Sequence, residues 1–328
     1  MAHPVKPGGP FRSRKGFRFL CRAASAVTEG ASRRGRAQVA AGSTLSGPDI
    51  VETVRRRWMF RHPLLIRLAH WINVVCLAIL LMSGLQIFNA HPALYWGSAS
   101  TFDRPFVAIT NDQRDDGTPR GILYVAGQTF DTTGVLGLSN LNGQQAGRAF
   151  PSWATLPAHQ DLATGRRWHF LFAWAFVING LIYLLYGIGT GQLRRRLIPD
   201  GDQMRGFGSS IREHLTLHFP EGDEAKRYNV LQKLSYLIVV AVLLPLMVLT
   251  GLAMSPGVNA VVPLPDLFGG RQSARTVHFI VTNLLVLFVI VHVLLVLLSG
   301  VANNMRSMIT GWFVIERRKL PAGSGESR

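Results

Sequence analysis

Two histidines in one long apolar stretch are the residues whose type and spacing point most directly to chemistry. His278 and His292 lie fourteen positions apart in the apolar run 275–298. In an α-helix this spacing returns a side chain to within about 40° of its starting direction and displaces it by roughly 21 Å along the axis. A histidine within a membrane span is costly and needs a partner. The pair therefore predicts two metal centres stacked across a membrane.

Four apolar stretches of about 20 residues each identify the chain as a membrane protein. Only helices and closed barrels satisfy their backbone hydrogen bonds in lipid, and runs this continuous are typical of helices. We therefore expect an all-α membrane protein, a bundle of four transmembrane helices. The expected spans are 63–88, 168–189, 231–253 and 277–298. Pro245 predicts a kink in the third span.

The distribution of Lys and Arg predicts that both termini are cytoplasmic. Basic residues are concentrated before the first span, between the second and third spans, and after the fourth, whereas the other two loops are poorer in them. Residues 89–167 then form a long outer loop between helices 1 and 2, and the segment 122–126 within it is typical of a β-strand. We interpret this loop as a folded docking surface, the alternative being a flexible insertion.

Composition divides the chain into a membrane domain and two tails. Residues 1–57 predict a disordered basic cytoplasmic tail, 58–316 the four-helix domain, and 317–328 a cytoplasmic C-terminal tail. The formal charge is +17, and much of it lies in the first tail or beside the spans. Such charge favours membrane lipid as the partner and argues against nucleic acid. The two cysteines form neither a Cys-x-x-Cys-His motif nor a cluster for iron–sulfur binding.

Two further histidines match the first two in depth. His70 lies early in the first span, near the depth of His292, and His169 opens the second span, near the depth of His278. Each pair can supply two axial imidazoles to one haem iron, an arrangement suited to electron transfer. The alternatives are hydrogen-bonded structural histidines, or a transporter or metal channel. A transport pathway is disfavoured because the predicted spans contain no Asp or Glu.

Arginines and glycines accompany these histidines at regular spacings. Three arginines each precede a proposed ligand by three residues: Arg67, Arg166 and Arg275. A guanidinium in that position matches a haem propionate, although snorkelling at a helix end is the alternative. Two glycines fall near the faces of the histidines: Gly84 and Gly180. They would let a flat macrocycle approach the backbone, and close helix packing explains them equally well.

These motifs resemble those of the bacterial di-haem cytochrome b561 family, which includes the cytochrome b subunits of nickel-iron hydrogenases and formate dehydrogenases. The matching motifs are RLAHW at 67–71, RRWH at 166–169, and RTVH at 275–278 followed by His292. The resemblance covers about residues 60–315. It implies two haem b groups, an inner one on His70 and His292 and an outer one on His169 and His278. It also implies electron exchange with quinone in the bacterial inner membrane.

The long outer loop is similar to that of the subset paired with periplasmic molybdopterin oxidoreductases of the sulfite-oxidase-like type. The resemblance therefore implies an electron-transfer subunit of an oxidoreductase complex, with no catalytic residues of its own. Electrons would cross the membrane between a periplasmic redox partner and the quinone pool. The alternative function is a self-contained superoxide:quinone or similar oxidoreductase, which some compact relatives resemble.

Overall fold

The computed structural model describes residues 54–141, 144–191, 193 and 230–318 of the 328-residue chain. Nearly all of the predicted tail 1–57 and most of the tail 317–328 lie outside these residues. The described part is mostly helical, and four of its helices are long and apolar enough to cross a membrane. This confirms the predicted four-helix membrane fold, while the orientation of the termini stays a prediction.

The membrane helices run close to the predicted spans, with two of them starting earlier. They are α1 (Leu64–Asn89), α2 (Leu162–Gly189), a third span made of α3 (Val230–Ile238) and α4 (Leu244–Ala253), and α6 (Arg271–Leu298). Helix α2 begins at Leu162 because Asp161 caps it, accepting a hydrogen bond from the Thr164 amide at 3.0 Å. The added turns, 162–167 and 271–276, contain polar and charged residues, so hydropathy alone starts these two spans too late.

The third span is interrupted at the position where Pro245 predicts a kink. A π-helical segment, Val239–Leu243, joins α3 to α4 and ends two residues before that proline. Proline has no amide hydrogen and its ring crowds the carbonyl one turn earlier, so the regular hydrogen-bond pattern cannot continue through it. The wider π-helical turn accommodates this local mismatch.

Polar contacts join α1 to α2, which pack closely along their length. The buried Asn179 of α2 donates to the Ala69 carbonyl at 2.9 Å and to Asn73 Oδ1 at 2.7 Å, both on α1. In lipid the hydrophobic effect does not drive helices together, so hydrogen bonds of this kind and close packing hold them in contact. Helix α4 packs mainly against α6.

The connection between α1 and α2 is folded into antiparallel β-structure. One sheet has the order β2 (Ala93–Leu94), β3 (Val107–Gln113), β4 (Pro119–Val125), β5 (Gln128–Asp131). A hairpin follows, β6 (Leu138–Leu141) and β7 (Gln144–Gly147). The segment predicted to be extended, 122–126, lies largely in β4. A flexible insertion is therefore wrong for this connection, and its role in docking stays a prediction.

Apolar packing fixes this β-structure to the ends of the membrane helices. Phe88 at the end of α1 packs with Leu94, Ile109 and Ala149, and its ring stacks on Phe279 of α6 at 4.9 Å between centroids. Glycine is required at Gly121 of β4, where the chain leading into the hairpin passes close by, because a Cβ there would lie 2.0 Å from the Leu136 carbonyl oxygen.

We call the end of the helix bundle that carries this β-structure the loop end, and the opposite end the distal end.

The remaining described elements are short. Helix α5 (Pro256–Asn259) and a 3-10 turn (Leu264–Phe268) connect α4 to α6, and another 3-10 turn (Ser152–Ala154) precedes α2. Helix α7 (Val301–Thr310) follows α6. Strands β1 (Val54–Phe60) and β8 (Trp312–Arg318) form a two-stranded sheet.

Candidate metal centres

The structure brings the four span histidines together as two pairs. His70 of α1 and His292 of α6 have ring centroids 6.4 Å apart, with planes inclined by 65°. His169 of α2 and His278 of α6 are also 6.4 Å apart, inclined by 61°. We call the first the distal pair and the second the loop-end pair. Because α6 contributes to both, the two pairs are separated along it by roughly 21 Å.

The separation within each pair fits two imidazoles on opposite sides of one metal ion. With metal–nitrogen bonds of about 2 Å, the two ring centroids of such a complex lie roughly 6 Å apart. In the described residues, no group of three or more His, Cys, Asp or Glu side chains converges on one point. A haem supplies four nitrogens itself and needs only two axial ligands, so the pairs fit a haem iron better than a metal held by side chains alone.

Hydroxyl groups fix both imidazoles of the loop-end pair. Ser83 Oγ lies 3.1 Å from Nδ1 of His169, and Thr250 Oγ1 lies 2.9 Å from Nδ1 of His278. Both hydroxyl residues are fully buried. A hydrogen bond at Nδ1 leaves Nε2 as the nitrogen available to a metal, the arrangement usual for ligating histidines.

Each hydroxyl is followed by a glycine that lies against the same imidazole. A Cβ on Gly84 would be 3.4 Å from His169 Cε1, and one on Gly251 would be 3.6 Å from His278 Cε1. The predicted residue Gly84 therefore faces a ligand at the loop end, whereas Gly180 has nothing within 4 Å of its Cβ position. The structure thus gives Gly84, and not Gly180, a contact with a proposed ligand.

The sequence analysis did not identify Thr250 and Gly251, because the third span contains no histidine. A signal was present: Ser83-Gly84-Leu85 near the end of the first span is matched by Thr250-Gly251-Leu252 near the end of the third. The third span therefore orients a proposed ligand.

Aromatic rings surround the distal pair. The Phe288 ring stacks on His292 at 5.9 Å, and Tyr236 lies edge-on to His292 at 6.4 Å. Trp71 lies edge-on to His70 at 5.5 Å. In the described part of the chain neither imidazole of this pair has a hydrogen-bonded hydroxyl behind it. The two pairs therefore share their geometry and differ in their surroundings.

The three predicted arginines lie in different environments. Arg275 donates to the backbone carbonyls of His91 and Ala93, and its guanidinium lies 5.6 Å from the centre of the Phe88 ring. Arg67 donates to the Ile309 carbonyl at the end of α7. Arg166 is exposed, with its guanidinium 5.6 Å from the Phe170 ring centre. Arg275 also affects its surroundings: burial and then this cation lower the pKa of His91, which keeps that imidazole neutral near pH 7.

A small cavity opens beside the loop-end pair. Its volume is about 200 Å³, and it is lined by Met254, Arg271, Gln272 and Arg275. Among the described residues neither arginine has a carboxylate partner, and Gln272 Oε1 is buried without a hydrogen bond. The lining thus presents two guanidinium groups to a site one helical turn from His278, which suits an anionic group.

A membrane bundle with paired, inward-facing histidines defines a class of membrane haem protein, and comparison with known proteins identifies the family. The family model for prokaryotic cytochrome b561 matches residues 61–311. A relative from Azospira oryzae, described as "Putative protein-methionine-sulfoxide reductase subunit YedZ1", is 30% identical over 250 residues, which is 76% of this chain and 96% of the relative. No solved structure matches.

The chain therefore belongs to the prokaryotic cytochrome b561 family. It is a multi-pass protein of the bacterial inner membrane and a haem b electron-transfer subunit. These findings confirm the family, the membrane location and the general role that the histidine motifs predicted.

Proposed function

We propose that the chain holds two haem b groups and passes electrons across the membrane between a periplasmic redox partner and the quinone pool. His70 and His292 would hold one haem, and His169 and His278 the other. The observation that carries this proposal is the equal 6.4 Å separation of the two histidine pairs. Two equivalent pairs at different depths are what a two-step electron path requires.

The protein residues have defined tasks in this proposal. A bound haem supplies an iron that takes up and gives up one electron. The four imidazoles would hold the two irons at fixed positions on α1, α2 and α6, and the apolar helices would exclude water and keep the local dielectric constant low. Arg271 and Arg275 would bind the propionates of the nearer haem, because both line the loop-end cavity and neither has a carboxylate partner among the described residues.

The β-structure at the loop end supports the assignment of a partner to that side. It is folded and packed on α1 and α6, close to the loop-end pair. The relative from Azospira oryzae is described as a subunit of a reductase, which supports a subunit role here. The partner we propose is a periplasmic oxidoreductase of the molybdopterin, sulfite-oxidase-like type. Quinone would exchange electrons at the other end of the path.

Haem content and the loss of single haems test the proposal. Purified protein should give two haem b per chain in a pyridine haemochrome assay. Ala variants at His70 or His292 should each lose the same haem signal in reduced-minus-oxidised spectra, and Ala variants at His169 or His278 should lose the other. His91→Ala is the matched control, because His91 lies at the loop end outside both pairs. Two haems retained in all four variants would refute the ligand assignment.

The path itself is tested by the order of reduction. In the intact complex with its partner, electrons supplied by the partner should still reduce the loop-end haem in His70→Ala but should no longer reach quinone. His278→Ala should prevent reduction of the distal haem by the partner. Normal quinone reduction in His278→Ala would contradict a path that runs through both pairs.

A further inference from the structure

The two histidine pairs differ in the side chains that contact their imidazoles. At the loop-end pair both imidazoles contact a buried hydroxyl through Nδ1, at 3.1 Å from Ser83 and 2.9 Å from Thr250. At the distal pair the neighbours are the rings of Trp71, Tyr236 and Phe288.

The direction of the two hydrogen bonds follows from the other bonds of the hydroxyls. Ser83 Oγ lies 2.6 Å from the Ile79 carbonyl oxygen, and Thr250 Oγ1 lies 2.7 Å from that of Leu246. A hydroxyl has one hydrogen and two lone pairs, and a carbonyl can only accept. Each hydroxyl therefore donates to its own helix and accepts from the imidazole. The imidazoles carry their hydrogen on Nδ1, and Nε2 keeps the lone pair for a metal.

An acceptor at Nδ1 increases the electron density of the ligand. A hydrogen bond from Nδ1–H raises the basicity of an imidazole and so strengthens its donation to a bound iron. Stronger donation favours the ferric over the ferrous state, and hydrogen bonding around the ligands is one of the means by which proteins set haem potentials. Both ligands of the loop-end pair receive this effect, and those of the distal pair do not receive it from the described residues.

We propose that Ser83 and Thr250 are positioning residues that fix the tautomer of His169 and His278 and lower the reduction potential of the loop-end haem alone. This rests on the proposed function, because it requires a haem at each pair. The matching Ser83-Gly84 and Thr250-Gly251 sequences on α1 and α4 place one hydroxyl at Nδ1 of each imidazole, so both proposed ligands of this pair would be affected alike. The sequence therefore encodes an asymmetry between two centres of equal geometry.

Redox titration of the purified holoprotein tests the proposal. Thr250→Val replaces the hydroxyl by a methyl group of similar size, and Ser83→Ala removes the other hydroxyl. Each should shift one of the two midpoint potentials to a more positive value, and the double variant should shift the same midpoint further. The second midpoint should stay at the wild-type value. Thr250→Ser and Ser83→Thr keep a hydroxyl acceptor, so in these variants the first midpoint should also stay close to its wild-type value.

Thr282→Val is the matched control. Thr282 also bonds a carbonyl of its own helix, that of His278 at 2.8 Å, but within the described residues its hydroxyl contacts no imidazole nitrogen. This variant should leave both midpoints unchanged. If a variant at Ser83 loses haem, Ser83→Cys retains the size with a weaker acceptor and should give a smaller positive shift.

The haem content and the midpoint potentials test two different proposals. Wild-type protein with fewer than two haems would refute the proposed function. Two haems whose midpoints do not move in Thr250→Val and Ser83→Cys, or move equally at both centres, would refute only the role of the hydroxyls.

Discussion

Arg67, one helical turn before His70, donates a hydrogen bond from its guanidinium to the backbone carbonyl of Ile309 in the last turn of α7. Trp71, next to the same histidine, donates to the Met308 carbonyl at 3.2 Å. Two residues that flank a proposed ligand thus hold the C-terminus of α7. Cations are favourable at that end of a helix because its last carbonyls lack partners.

Replacing Arg67 should therefore affect stability. We expect Arg67→Gln to lower the free energy of unfolding by about 1–2 kcal/mol, since a charge-assisted hydrogen bond and a favourable dipole contact are lost. Arg67→Lys should lose less, because it keeps the charge. Denaturation in detergent followed by circular dichroism gives the stability, and absorption spectra give the haem content. Unchanged stability with loss of the distal haem would show instead that binding a propionate is its main role.

The hydrogen bond between Asn73 and Asn179 should stabilise the packing of α1 against α2, about one helical turn after His70. We expect Asn73→Ala and Asn179→Ala each to destabilise the protein by about 1 kcal/mol, with a coupling of roughly 0.6 kcal/mol in the double-mutant cycle. Asn283→Ala is the control, because in the part of the chain that the structure describes the Asn283 side-chain amide bonds only its own helix, at Phe279. Additive effects of the two substitutions would mean that this contact does not join the helices.

The membrane part of this fold was predictable because its determinants are local. An apolar run of sufficient length has to be a helix in lipid, and the period of the helix then fixes which faces and depths its histidines share. The pairing of His70 with His292 needed no knowledge of helix order, since depth alone distinguishes it from a pairing with His278. The family motifs gave the same result.

The parts that were missed depend on contacts between distant segments. Thr250 was not recognised because hydropathy does not show which helix faces His278. The bonds of Arg275 to the carbonyls of His91 and Ala93 were not predicted, because they depend on how the loop folds back. The register of the β-sheet depends on pairings such as Ile109 with Leu123, which no local pattern fixes. By contrast, the Asp161 cap of α2 could have been read from the sequence.

Arg148 should be essential for attaching the connection between α1 and α2, which we call the loop segment, to α1. It is buried, and it donates to the carbonyls of Phe150 and Ala158, to Gln86 Oε1 of α1 and to Thr155 Oγ1. Burial lowers the pKa of Arg148, yet an arginine stays protonated at neutral pH.

We expect Arg148→Met to cost about 3 kcal/mol, because it leaves several buried acceptors unpaired. Arg148→Lys should recover only part of this, since an ammonium cannot reproduce the planar fork. Thermal unfolding and limited proteolysis of the loop measure the effect. Arg104→Met, at a highly exposed side chain, is the control. Equal stability of the Met variants at these two positions would show that the buried network contributes nothing.

Asp131 should make the loop segment sensitive to acid. Its carboxylate accepts from the hydroxyl and the amide of Thr133, at 2.5 and 3.0 Å, and pairs with Arg114 at 2.6 Å. These contacts, the Thr133 hydroxyl first, hold the pKa of Asp131 well below its usual range. Because the folded-state pKa is depressed, the stabilisation is present above the unfolded-state pKa of about 4 and is lost as the pH falls toward the folded-state value.

Asp131→Asn should consequently weaken the loop segment at neutral pH and make its stability depend less on pH below about 4. Limited proteolysis at a series of pH values, with an acid-tolerant protease, measures local opening. Asp103→Asn is the matched control, because the ion pair of that carboxylate among the described residues is with the adjacent Arg104, at 3.5 Å, and both side chains are exposed. The control should follow the wild-type pH profile. If Asp131→Asn follows it as well, the acid sensitivity must come from other carboxylates of the loop segment, among which Asp112 also has a lowered pKa through its bonds to Gln113 and Arg120.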